Sequence, residues 1–120
     1  MTQAGLNDNR IKMLLAGLET AHRALIKTGR LYDNAVEGEE QTKVLILSRH
    51  EFQGKNAEAR SLEAATILQQ SDAMHTDTEL RKGLEWIMAQ DKANLEIARE
   101  RLSLHRALAY QVSGIASQGR

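Results

Sequence analysis

DTELRKGLEWIMAQDKANLEIARERLSLHRALAYQVSGI, residues 77–115, is the stretch on which the fold turns. Within it Leu84, Met88, Asp91, Leu95, Ala98, Leu102, His105, Ala109 and Val112 succeed one another at alternating steps of four and three. A helix wound at about 3.5 residues per turn carries all of them on one stripe, the seam of a coiled coil. Thr76-Asp77-Thr78-Glu79 reads as its capping box, with Asp77 and Glu79 favourable to the helix dipole, and Gly114 and Gly119 suit a fraying end. At about 1.5 Å rise per residue such a helix spans on the order of 55 Å, more than a compact domain of this size needs. Its stripe therefore requires a partner helix.

The N-terminal segment supplies one. Ile11, Leu15, Leu18, His22, Leu25, Gly29, Tyr32 and Val36 repeat the spacing, after an Asn7-Asp8 pair that can cap a helix start, and predict a helix over about 7–36. Gly38 interrupts it, yet residues 41–52 are helix-compatible and can continue the same axis. Val44-Leu45-Ile46-Leu47 alone resembles a strand, but no second strand signal exists to pair with it. Asn56 caps a short helix over about 57–70, with Leu62, Ala65 and Leu68 or Gln69 on one face. The polar residues Ser71 to Thr76 turn the chain into the last helix. The expected fold is all-α, a single domain over 1–120. Two long helices form an antiparallel, coiled-coil-like hairpin with a short helical element at the turn, completed by self-association into a helical bundle.

Composition agrees. The 120 residues hold no Pro and no Cys, so the commonest helix breaker, disulfides, thiolate metal sites and cysteine nucleophiles are all excluded. The start of the chain lacks the cationic and apolar blocks of a signal peptide, and no apolar run reaches the roughly 18 residues of a membrane span. A soluble, cytoplasmic protein is expected. Net charge is zero, 16 Lys and Arg against 16 Asp and Glu, with basic ends and an acidic middle around Asp33 to Glu40 and Glu63 to Glu79.

Two pieces of the sequence carry a resemblance. Gly54-Lys55-Asn56-Ala57-Glu58-Ala59-Arg60 follows a helix with an isolated Tyr, and Leu-x-Ile-Ala-Arg-x-Arg-Leu-x-x-x-Arg-Ala-Leu runs from Leu95 to Leu108. Over about residues 30–112 the chain resembles small coiled-coil proteins of bacteriophages, encoded near single-strand annealing recombinases, single-strand DNA-binding proteins or nucleases; it departs from them in the acidic residues Glu37 to Glu40. The resemblance implies a phage origin and an accessory role in DNA recombination or replication. It implies no catalytic residue.

No constellation for chemistry stands out. His22, His50, His75 and His105 have no second His at metal-site spacing, so no metal ligand set is assigned. His22 and His105, both on predicted seams, either meet across the hairpin as a metal or pH site or merely tune register, and the second reading is preferred, as it is for Asp91. Phosphate-binding glycine loops, a Gly-x-Ser-x-Gly elbow and the zinc-protease spacing are absent, so no cofactor and no enzymatic activity are expected.

Two functions remain. In one, the chain is a non-enzymatic interaction protein that associates with itself and binds a phage or host protein of DNA recombination, replication or defence, with Tyr32, Trp86, Leu84, Met88, Leu95 and Leu102 as interface candidates. In the other, Arg10, Lys12, Arg23, Lys27, Arg101 and Arg106 gather at one end of the hairpin and make weak, salt-sensitive contacts with the DNA backbone. Neutral net charge places the first ahead.

Overall fold

A computed structural model describes the backbone of residues 3–118 and the side chains of residues 8–112. The described residues are all-helical: α1 is Gln3–Arg49, α2 is Ala57–Gln70 and α3 is Asp72–Gln118. The chain packs as a helical hairpin and divides into two compact units, Met1–Lys27 with Met88–Arg120, and Thr28–Ile87.

In the first unit the α3 seam is the expected one. Leu95 and Leu102 are buried, and Met88, Asp91, Ala98, His105 and Ala109 are half-buried, while Val112 is exposed. The α1 side differs from expectation by one position in alternate steps. Ile11, Leu18 and Leu25 face inward as read, but Leu14 and Ala21 fill the intervening places instead of Leu15 and His22, which are exposed. In the second unit the same shift puts Thr28 and Ala35 inside with Tyr32; Val36 is exposed and Gly29 half-buried. Both phases share every second position, so periodicity alone favours neither. At two of these places the smaller side chain goes inside: Ala21 and Ala35 let a facing helix approach more closely than His22 and Val36 would, and the imidazole stays in water.

The second unit is held by polar groups between α1 and α3. Tyr32 Oη donates to Glu85 Oε1 at 3.3 Å, Arg81 Nε donates to Glu39 Oε2 at 2.6 Å, and Thr42 Oγ1 donates to Asp77 Oδ2 at 2.5 Å. Partners later in α1 come earlier in α3, which is the antiparallel sense.

Four element ends differ from the sequence reading. α1 already runs at Gln3, so Asn7 and Asp8 lie inside it, and it continues through Gly38, where a helical glycine costs only about 1 kcal/mol against alanine. It ends at Arg49, and residues 50–56 form the loop. α3 begins at Asp72, not near Asp77: Ser71 Oγ accepts from the Met74 N–H at 3.2 Å, and Asp72 adds an acid in the first turn. Thr76 therefore caps nothing; its hydroxyl donates to the Asp72 carbonyl at 3.0 Å. Gly114 lies within α3, and Gly119 lies outside the described residues.

α2 has the expected bounds and cap, with Asn56 Oδ1 accepting from the Ala59 N–H at 2.8 Å. Its inward face is rotated from the expected one. Ala59, Glu63, Ala64, Ile67 and Leu68 are half-buried, whereas Leu62 is 67% exposed and Ala65 and Gln69 are exposed. On that inward face Glu63 accepts the Gln53 N–H with both carboxylate oxygens, at 3.1 and 3.0 Å.

Candidate functional site: an apolar groove in the first unit

A seam-packed helix pair leaves the positions beside the seam uncovered. In the first unit, positions one residue ahead of the seam are Arg10, Met13, Gly17, Thr20 and Ala24 on α1, and Asn94, Ile97 and Arg101 on α3. With the seam residues Leu14, Ala21, Asp91 and Ala98 they line a groove of about 700 Å³. The small residues Gly17, Ala21, Ala24 and Ala98 form its floor. Met13, 67% exposed, and Ile97, 45% exposed, form its apolar shoulders. The α1 lining runs from Arg10 to Ala24 and the α3 lining from Asp91 to Arg101, in opposite directions.

The opposite flank of α3 in this unit is different. Ala89, Lys92, Glu96, Arg99, Ser103 and Arg106 follow the seam by one residue, and all are exposed. One flank is charged. The groove flank continues past Ile97 and Arg101 into Leu104 and Leu108, 61% and 52% exposed.

The basic residues singled out in the sequence all belong to the first unit and are exposed. Of these, Arg10 and Arg101 enter the groove lining; Arg23 is paired with Glu19 one turn away at 2.5 Å, and Lys12, Lys27 and Arg106 are exposed and outside the lining. The interface candidates divide by burial. Leu95 and Leu102 form the core of the hairpin itself, Leu84 and Met88 are half-buried on its seam, and Tyr32 is half-buried with its hydroxyl on Glu85. Trp86 alone among them is exposed, at 66%.

His22 lies exposed and off the seam, so it shares no inward position with His105. His105 is half-buried, its Nε2 shielded from solvent and without a hydrogen-bond partner. Among the described residues no three His, Asp or Glu side chains gather into a metal-binding group, and no helix is long and apolar enough to cross a membrane. The Arg81 guanidinium is held above its ordinary value by its hydrogen bonds to Glu39 and then Glu85.

The groove escaped the sequence reading, which followed the strongest stripe and stopped there. The signal for it is the second stripe, Met13, Gly17 and Ala24 against Ile97, Leu104 and Leu108, nearly free of charge where the other α3 flank is full of it. Fold and groove together define a helical hairpin protein with an open interhelical face. No family model, no curated protein and no solved structure matches this chain.

Proposed function

We propose that this chain is a non-enzymatic interaction protein: a helical hairpin that associates with itself through its exposed apolar surface and binds another protein. One observation carries the reading. The apolar side chains are mostly outside: Met13, Leu62, Trp86, Leu80, Leu104 and Val112 are each more than half exposed, whereas the buried hydrophobics among the described residues are Ala35, Leu95 and Leu102. Apolar surface on this scale marks a surface meant to be covered. The resemblance to phage coiled-coil proteins points to a partner of DNA recombination, replication or host defence. It also points to work in the bacterial cytoplasm.

A photo-crosslinking residue in place of Trp86, placed in the full chain and irradiated in phage-infected cells, tests the hetero-partner. A discrete adduct that disappears with Leu80→Asp supports the reading; adducts only to bulk cellular protein, together with a monomeric chain at micromolar concentration, sink it. A competing reading takes Arg10 and Arg101, on one groove, as phosphate contacts. A gel shift on single- and double-stranded DNA that weakens steeply with salt would favour it.

A further inference from the structure

We propose that the groove of the first unit seats an amphipathic helix of another protein, one whose apolar stripe is bordered by Asp and Glu. This rests on the reading of the chain as a protein that binds another protein, and it says where that partner lies and what chemistry it brings.

Dimensions select a helix. The α1 lining from Arg10 to Ala24 and the α3 lining from Asp91 to Arg101 are each about 15–20 Å long at the helical rise. About 700 Å³ spread over that length is a section of roughly 40 Å², some half or less that of a whole helix about 10 Å across. Such a channel takes one row of side chains, and an amphipathic helix lying along it supplies them at every third and fourth residue. The second unit already has a third helix. It contains α2, whose Ala59, Glu63, Ala64, Ile67 and Leu68 are half-buried, an apolar stripe with one acid, whereas the first unit contains α1 and α3 alone.

Charge selects an acidic helix. The first unit, residues 1–27 and 88–120, holds nine Lys and Arg against five Asp and Glu. The imbalance is steepest beside the groove. There the flank carries Arg10, Lys27 and Arg101 and no acid, whereas the opposite flank mixes Lys12 and Lys92 with Glu19 and Glu96. Among the described residues no acid pairs with Arg10 or Arg101, and the one acid of the lining, Asp91, is half-buried on the seam and already engaged. Carboxylates bordering a docked stripe meet these guanidinium groups, and lysines in the same places are repelled. Nucleic acid fits less well, because Met13, Ile97 and Leu104, each at least 45% exposed, would stay in water beside it.

A displayed library of helical peptides, apolar at i, i+3, i+4 and i+7 and random elsewhere, selected on the full chain, is expected to yield binders rich in Asp and Glu beside the stripe. Fluorescence anisotropy then reads the best peptide. Replacing its bordering acids by Lys weakens binding about tenfold or more, and Arg10→Gln combined with Arg101→Gln narrows that preference to about threefold. Gly17 separates a seated helix from mere attraction. A Cβ there meets nothing within 4 Å, so a long side chain spares the hairpin's own packing. Gly17→Arg adds a cation but fills the groove, and it weakens the peptide about tenfold or more with helicity by circular dichroism unchanged. Gly83→Arg, at an equally open glycine of the second unit, leaves the peptide bound. Binding that holds or strengthens with Gly17→Arg overturns the groove as the seat. Binders without acids overturn the acidic chemistry, and a DNA oligonucleotide bound more tightly than the peptide makes the groove a phosphate site instead. If no peptide binds and a wild-type dimer dissociates with Gly17→Arg, a second copy fills the groove and the inference falls. A failed selection with the Trp86 adduct intact overturns the groove and leaves the reading of a protein-binding chain standing; loss of both overturns both.

Discussion

Arg81 of α3 donates through Nε to Glu39 of α1 at 2.6 Å and through a terminal nitrogen to Glu85 of its own helix at 2.7 Å, forming a clasp on the seam of the second unit. Arg81 and Glu39 side chains are 24% and 23% exposed, so the pair is shielded more than a surface ion pair is. Glu85 in turn accepts from Tyr32 Oη. Where the first unit places Leu95 and Leu102, the second places charges and hydroxyls, and a polar seam of this kind fixes which α1 turn faces which α3 turn.

Arg81→Gln is accordingly expected to lower the melting temperature of the full chain, and Glu39→Gln to do the same, with the double variant little worse than either single one. Because the folded-state pKa of Arg81 is raised, its contribution is fully present below the unfolded value and is lost only as pH climbs through the folded one. The penalty of Arg81→Gln should therefore be equal at about pH 7 and about pH 10. Thermal melts at both values check this; a penalty that vanishes on the alkaline side would contradict it.

How much of this was legible follows from the same clasp. The α3 seam was readable from Leu84 onward because its members are apolar against a charged background. It was lost before Leu84 because Asp77 and Arg81 occupy seam positions and hydrophobic periodicity cannot register them. Glu39 and Thr42 hid the continuation of the α1 seam past Gly38 in the same way. The shifted phase at Leu14, Ala21, Thr28 and Ala35 was unreadable for another reason: it depends on how closely α3 can approach, which one helix's sequence does not contain. The groove was legible in principle, as a second stripe, but only once the first was assigned to the hairpin.

The glycines are expected to fall into two classes. A Cβ at Gly38 meets nothing within 4 Å, and the residue sits inside α1, so Gly38→Ala should stabilise the chain by about 0.5–1 kcal/mol. At Gly54 a Cβ would lie 2.9 Å from the Arg60 backbone nitrogen and 3.0 Å from the Ala59 carbonyl carbon, neither of which can move without disturbing the start of α2. Gly54→Ala should therefore destabilise. Urea titration of the two variants separates them by sign.

Leu95 and Leu102, 5% and 6% exposed, are the large buried hydrophobics described in the first unit. Truncating either to alanine removes buried methyl and methylene groups and leaves a cavity, a loss of about 2–4 kcal/mol. Leu104→Ala and Leu108→Ala, at exposed positions of the same helix, should cost the isolated hairpin under about 1 kcal/mol. If the exposed pair proved as costly in dilute monomer as the buried pair, the assignment of the inward face would be wrong.

The loop between α1 and α2 depends on one carboxylate. Both oxygens of Glu63 accept the Gln53 N–H, and His50 Nε2 lies 3.5 Å from Oε2, an ion-pair distance without hydrogen-bond geometry. The His50 ring also meets Phe52 edge to face, with centroids 5.0 Å apart. Glu63→Ala leaves the Gln53 amide without its protein partner and should cost about 1–2 kcal/mol, whereas Glu63→Gln keeps an acceptor and should cost less. Asn56→Ala, which removes the cap of α2, should cost about 1 kcal/mol, and Asn56→Asp close to nothing. Amide hydrogen exchange distinguishes the two effects. Glu63→Ala should speed exchange at Gln53 while sparing Ala59, and Asn56→Ala should do the reverse, since each side chain holds a different N–H. Equal acceleration at both amides in both variants would mean that loop and helix start open together, and that Glu63 acts through α2 and not directly on the loop.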